Sequence, residues 1–245
     1  MQKTKIEYCD YTWNPVTGCL HGCPYCYARA IAHRFKAKNK DYSRDVELKP
    51  LIHTVLEKGH PFPFGFEPTM YRYRLGEPAK LKGSQTIFVG SMCDLFANWV
   101  PYKWVEDVLN ACAAAPQHRY LFLTKNPIRY IAALKTKGMP RMDRDNWYFG
   151  SAMTNAELFL SSPVINMFLN IEPLFDECNY IDLTNIVWVI IGAEIGNRKD
   201  KIIPKQKWIE AIIEQCQAVG IPVFMKNNLS PIWGKKLIQQ YPWEV

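Results

Sequence analysis

Six short apolar runs recur along the chain: Thr86-Ile-Phe-Val-Gly, Tyr120-Leu-Phe-Leu-Thr, Trp147-Tyr-Phe-Gly, Ile165-Asn-Met-Phe-Leu-Asn-Ile, Ile186-Val-Trp-Val-Ile-Ile-Gly and Ile221-Pro-Val-Phe-Met. In several of them the apolar residues are consecutive. A strand with one wetted face alternates apolar and polar side chains, so such runs must be covered on both faces, as in a parallel sheet. Helix-like segments lie between some of the runs. Segment 101–115 opens with proline and puts Trp104, Val105, Val108, Leu109 and Cys112 on one face. Segment 126–137 has Pro127 in its first turn and Gly138 just beyond it, and 205–218 ends before Gly220 with Trp208, Ile209, Ile212, Ile213 and Cys216 as its stripe. With a further strand at 6–13, this alternation implies right-handed crossovers and an α/β fold built on a parallel sheet or barrel.

The 245 residues suit a single domain, 1–245, that buries enough apolar surface to fold without disulfides. No run of 18 apolar residues is present and no apolar stretch follows the first basic residues, so neither a membrane span nor a secretory signal is expected, and the location expected is cytoplasmic. Residues 41–85 break the rhythm with prolines and aromatics, as in His60-Pro-Phe-Pro-Phe-Gly-Phe-Glu-Pro. They read as an irregular insertion placed to cover a site or to pack as an arm.

Three of the eight cysteines, Cys19, Cys23 and Cys26, fall in the stretch Thr12-Trp-Asn-Pro-Val-Thr-Gly-Cys-Leu-His-Gly-Cys-Pro-Tyr-Cys. Clustered thiols in a long chain of this kind point to metal binding, and thiolate selects zinc, cuprous copper or iron–sulfur clusters. Structural zinc wants four ligands, which here would require a distant cysteine such as Cys93 or Cys178, because His21 sits too close to join all three. A cubane cluster takes one thiolate per iron, and three cysteines leave its fourth iron open.

The spacing C-x3-C-x2-C, with aromatic Tyr25 before the last cysteine, resembles the signature of the radical S-adenosylmethionine (SAM) superfamily. Together with Thr12-Trp-Asn-Pro, Gly90-Ser-Met-Cys-Asp-Leu-Phe, Phe122-Leu-Thr-Lys-Asn-Pro, Ile171-Glu-Pro-Leu and Ile190-Ile-Gly-Ala-Glu, it is similar to a phage-associated branch of that superfamily. The resemblance implies a partial (β/α)6 barrel with the cluster loop after its first strand. It implies a [4Fe–4S] cluster on Cys19, Cys23 and Cys26, SAM as cofactor, cleavage to a 5′-deoxyadenosyl radical, and an electron donor such as flavodoxin or ferredoxin.

In such a barrel, ligand contacts come from the carboxyl ends of the strands. Gly90 and Ser91 close the second strand, Thr124 and Lys125 the third, Ser151 follows the fourth, Glu172 ends the fifth, and Glu194 follows the sixth. Asp94 stands near the place of the acidic residue in the superfamily's Gly-rich motif. These residues and Tyr25 are the expected cofactor contacts; helix caps and turns are the alternative for each polar one. Cys93, also at a strand end, is a candidate hydrogen donor to a product radical or simply a small buried residue; Tyr71 and Tyr73 are further candidates for that donation.

The formal net charge of +7 bears on partners. Arg29, Arg34, Lys36, Lys38 and Lys40 follow the cluster loop on a helix expected at 27–40. Segment 117–144 is rich in lysine and arginine, Arg198, Lys199 and Lys201 form a group, and Met70-Tyr-Arg-Tyr-Arg interleaves aromatics with arginines. A nucleic-acid or nucleotide substrate, for modification or repair, is the expectation. A peptide or protein substrate and a zinc-stabilised binding module are the alternatives. The sequence leaves the oligomeric state open.

Overall fold

The computed structural model describes residues 1–36, 53–56, 58–154, 164–196, 198–234 and 236–244. In chain order the elements are β1 (Gln2–Lys3), β2 (Tyr11–Trp13), β3 (Val16–Thr17), α1 (Tyr27–Arg34), β4 (His53–Val55), β5 (Thr69–Tyr71), β6 (Thr86–Val89), α2 (Tyr102–Ala113), β7 (Arg119–Thr124) and α3 (Ile128–Leu134). They continue as β8 (Trp147–Met153), β9 (Met167–Ile171), β10 (Ile186–Ile191), α4 (Gln206–Ala218), β11 (Val223–Met225) and the single turn α5 (Ser230–Trp233).

The apolar runs form one eight-stranded sheet in the order β1-β2-β6-β7-β8-β9-β10-β11. Its first pair is antiparallel and all later neighbours are parallel. Among the described residues the sheet ends at β1 and β11 without closing, so the fold is an open, mostly parallel α/β sheet. Helices connect β6 to β7, β7 to β8 and β10 to β11, but 172–185 carries β9 to β10 with no helix. The run of (β/α) units is therefore incomplete. In the β8–β9 connection, 155–163 lies outside the described residues.

Alternation along each strand sends side chains to two cores. Tyr120 and Phe122 of β7 join Trp104, Val105 and Val108 of α2 and the expected stripe of α4 in the larger one. Leu121 of β7, Phe88, Phe168 and Trp188 face the other way. Each large side chain so buried stabilises the fold by about 1.5–3 kcal/mol. On that second face, Tyr8 meets the rings of Trp188 and Phe224 edge-on. Residues 238–240 run antiparallel beside β11, and Tyr241 and Trp243 then pack over this core, Trp243 against Tyr148 and Trp188 near the amino ends of their strands. Trp188 Nε1 donates to Gln240 O at 2.8 Å, and Arg119 lies 3.9 Å from the Trp243 ring centre.

Several boundaries differ from the sequence reading. Segment 41–85 is not irregular throughout: β4 and β5 pair in parallel, and β5 pairs with β3, giving a second, three-stranded sheet. The segment is tied to β2, since Trp13 Nε1 donates to Arg74 O at 3.0 Å and Arg74 Nη1 donates to Asn14 O at 2.8 Å. Of this insertion, 41–52 lies outside the described residues. The helix expected at 27–40 ends at Arg34, and 37–40 is likewise outside them. Helix α3 stops at Leu134, where the backbone tightens to i→i−3 bonds, Lys135 N donating to Ala132 O at 3.2 Å and Thr136 N to Ala133 O at 3.0 Å, and Thr136 Oγ1 also donates to Ala132 O at 2.8 Å. No helix among the described residues is long and apolar enough to cross a membrane.

Candidate functional site

A cavity of about 1110 Å³ opens at the carboxyl ends of the parallel strands, and Cys19, Cys23 and Cys26 line one wall of it. The loop that carries them leaves β2 and β3 through Gly18, whose φ is +88°. A Cβ at Gly18 would stand 2.2 Å from Glu67 O, so only glycine fits the chain between its neighbours. Two main-chain bonds clamp the loop: Gly18 N donates to Met92 O at 2.9 Å and Cys19 N to Phe66 O at 3.1 Å. Cys26 ends the loop as the N-cap of α1, where its Sγ accepts from Arg29 N at 3.4 Å. Burial pushes the Cys19 thiol up to about 12. Among the described residues no three His, Cys, Asp or Glu side chains converge to hold a single metal ion.

His21 lines the same cavity as the thiols and is held by Asp94. Asp94 Oδ2 accepts from His21 Nε2 at 2.7 Å and from Lys125 N at 2.9 Å; Oδ1 accepts from Thr124 Oγ1 at 2.6 Å and Phe96 N at 3.2 Å. Asp94 is 5% exposed, so these bonds use up its carboxylate. It joins the cysteine loop to the ends of β6 and β7, and it lines the cavity with the other expected contacts.

The other expected contacts divide. Tyr25, Gly90, Ser91, Thr124, Lys125, Glu172 and Glu194 all line the cavity. Lys125 Nζ lies 5.7 Å from the Tyr25 ring centre. Burial raises the Tyr25 phenol, and nearby Lys125 partly offsets that. Glu172 pairs with Lys226, and Glu194 is held bidentately by Arg198 at 2.7 and 2.8 Å. The Arg198 guanidinium keeps the Glu194 carboxyl below the usual range. Ser151 is buried but absent from the cavity wall; its strand neighbour Ala152 lines it instead, as the one-residue alternation of β8 requires. Cys93 lies on the wall, and burial raises its thiol well above the ordinary value. Cys178 cannot serve as a fourth ligand there: it packs in the core beside α4, where Gln215 donates to its carbonyl at 2.8 Å.

Parts of the basic stretches are structural. Arg129 is buried and donates to Ala97 O and Val100 O, Arg144 covers the Trp147 ring, and Arg72 pairs with Asp107 at 2.7 Å. Tyr71 is 1% exposed and cannot stack on a base. Of these stretches Lys125 stays on the cavity wall, as does Arg74, although its guanidinium also donates to Asn14 O; Lys58, outside them, lines the wall too. The sequence reading missed Tyr8, Asn14, Asn170 and Lys226, which also line it. Lys226 follows an apolar run as Glu172 does, and Asn170 interrupts one; both carried a legible signal.

The profile of the family described as protein of unknown function (DUF5131) matches residues 3–239. No curated protein matches the chain. A point mutant of spore photoproduct lyase superposes with a TM-score of 0.50 at 10% identity, covering 91% of this chain and 78% of that one. Spore photoproduct lyase complexed with dinucleoside spore photoproduct gives 0.46 at 10% identity over 78% of this chain, which spans 58% of that structure's length. The first likeness shows a shared mixed α/β fold with a parallel-strand sheet.

Proposed function

The chain belongs to the DUF5131 family, and we propose that it is a radical SAM enzyme acting on a nucleic acid or nucleotide. One observation carries this reading: the three thiols of the C-x3-C-x2-C loop share a cavity with the polar strand ends of a parallel sheet. Cys19, Cys23 and Cys26 would each hold one iron of a [4Fe–4S] cluster and leave the fourth iron for the amino and carboxylate groups of SAM. When bound, the cluster supplies the electron that cleaves the sulfonium to methionine and a 5′-deoxyadenosyl radical. Three thiolates suit a cubane, which takes one per iron, whereas structural zinc wants four ligands.

The remaining roles fall to the chain itself. Tyr25, Gly90, Ser91, Lys125 and Glu172 are the assigned SAM contacts. Asp94 is a positioning residue, and Glu172 and Lys226 hold each other's orientation. Phe62, Phe66 and Phe88 give the cavity an apolar lining that limits water. Cys93, kept protonated by burial, is the candidate to give its hydrogen atom to a product radical, leaving the unpaired electron on sulfur. We read β2 and β6 to β10 as the six strands of a partial (β/α)6 barrel. Likeness to spore photoproduct lyase, a radical SAM enzyme, supports that fold. The substrate class rests on the net charge of +7 and on Lys58, Arg74 and Lys125 at the cavity. A carrier such as flavodoxin or ferredoxin would supply electrons.

Anaerobic reconstitution tests the reading. The loaded chain should be brown, contain about four irons and four sulfides, and release 5′-deoxyadenosine from SAM on reduction. Alanine at Cys19, Cys23 or Cys26 should abolish loading. A fully loaded, reduced chain that forms no 5′-deoxyadenosine would refute the activity.

A further inference from the structure

The carboxylates on the cavity wall are all engaged: Glu7 by Asn227 N, Glu77 by the Met1 amino group, Asp94 by Thr124, Glu172 by Lys226 and Glu194 by Arg198. Two of the three asparagines there are engaged as well. Asn14 Oδ1 accepts from Met92 N at 2.9 Å, and the Asn228 amide brackets Ala193, accepting from its N at 3.1 Å and donating to its O at 2.7 Å. Asn170 differs. It is 4% exposed, lines the cavity, and among the described residues its Oδ1 has no hydrogen-bond partner.

Its strand neighbours cannot supply one. Asn170 sits on β9 between Ala152 of β8 and Ile190 of β10, whose side chains carry no polar atom. A buried amide left unpaired is a burden on the fold, and an apolar residue would pack there without it. The burden is relieved when a ligand in the cavity provides the missing partner.

We infer that Asn170 recognises the edge of a nucleobase. A primary amide presents an acceptor and a donor side by side in one plane, the complement of a ring edge with adjacent donor and acceptor. Phe88, Leu123 and Ala152 line the same cavity and offer apolar cover to a flat ring. The inference rests on the preceding functional reading for its ligand class. The base belongs either to SAM or to the nucleic-acid substrate, since both carry such an edge.

Calorimetric titration of the reconstituted chain with S-adenosylhomocysteine, and separately with a mixed-sequence single-stranded oligonucleotide, distinguishes the sources. Asn170→Ala and Asn170→Leu should each lose about tenfold or more in affinity for at least one probe, and the probe affected identifies the source. The melting temperature of Asn170→Leu should equal or exceed that of the parent, because a merely structural asparagine would not combine lost binding with retained stability. Unchanged affinity for both probes in both variants would overturn the inference while leaving the functional reading intact. So would lowered melting temperatures in both variants, which would make Asn170 a folding residue. Should the parent chain bind neither probe, the nucleotide reading itself falls, and this inference with it.

Discussion

Asp94 accepts from four donors, two at each oxygen. An amide in its place keeps one accepting oxygen and turns an NH2 group toward donors. Asp94→Asn should therefore destabilise the chain by about 1–3 kcal/mol, read as a lower urea midpoint. Gly18→Ala should cost at least as much, since the new methyl meets the Glu67 carbonyl and the φ of +88° disfavours any side chain. Glu194 gives a pH-dependent case. Arg198 depresses its folded pKa, so the stabilisation is complete above the ordinary glutamate value and is lost as pH falls through the depressed one. Glu194→Gln should thus lower the melting temperature near pH ~7, and the difference should shrink progressively as pH falls below the ordinary glutamate value of about 4.3. At this scale the cysteines were legible because eight residues hold all three. The partners of Asp94 were not, since His21 lies 73 positions away and Thr124 lies 30.

The strands illustrate why elements are easier to read than sites. Runs such as Ile186–Ile191 are apolar throughout because both faces of the sheet are covered, and that demand is written in consecutive letters. Strands β4 and β5, of three residues each, pair with each other and with β3, far away in sequence, so no local pattern announces them. The face of a strand-end residue is equally hard to assign. Ser151 and Ala152 exchange roles on a shift of one position. Gly150 shows how tightly the register is held. A Cβ there would lie 2.3 Å from Phe168 Cζ and 2.8 Å from Leu123 Cδ1. Gly150→Ala should cost about 1–3 kcal/mol, visible as a lower denaturation midpoint. Phe168→Leu in the same chain should recover part of it.

At the scale of the molecule, the amino ends of the parallel strands are closed by aromatic side chains and the carboxyl ends stay open. Trp243 lies against Tyr148, Trp188 and Arg119, so it stoppers the closed end. Trp243→Ala should lower stability by about 1–3 kcal/mol and expose the second core to a hydrophobic dye, while the cysteine loop, at the opposite end, should keep its capacity to load iron. The loop and the end of β7 are in turn fastened to one carboxylate, Asp94. Two sites that share a fastening cannot fill independently, and thermodynamic reciprocity makes their coupling equal in both directions. The iron-loaded chain should bind S-adenosylhomocysteine about fivefold or more tightly than the metal-free chain. The ligand should strengthen iron retention against a chelator by the same factor, and Asp94→Ala should weaken this cooperativity while leaving the part carried by direct ligation to the open iron.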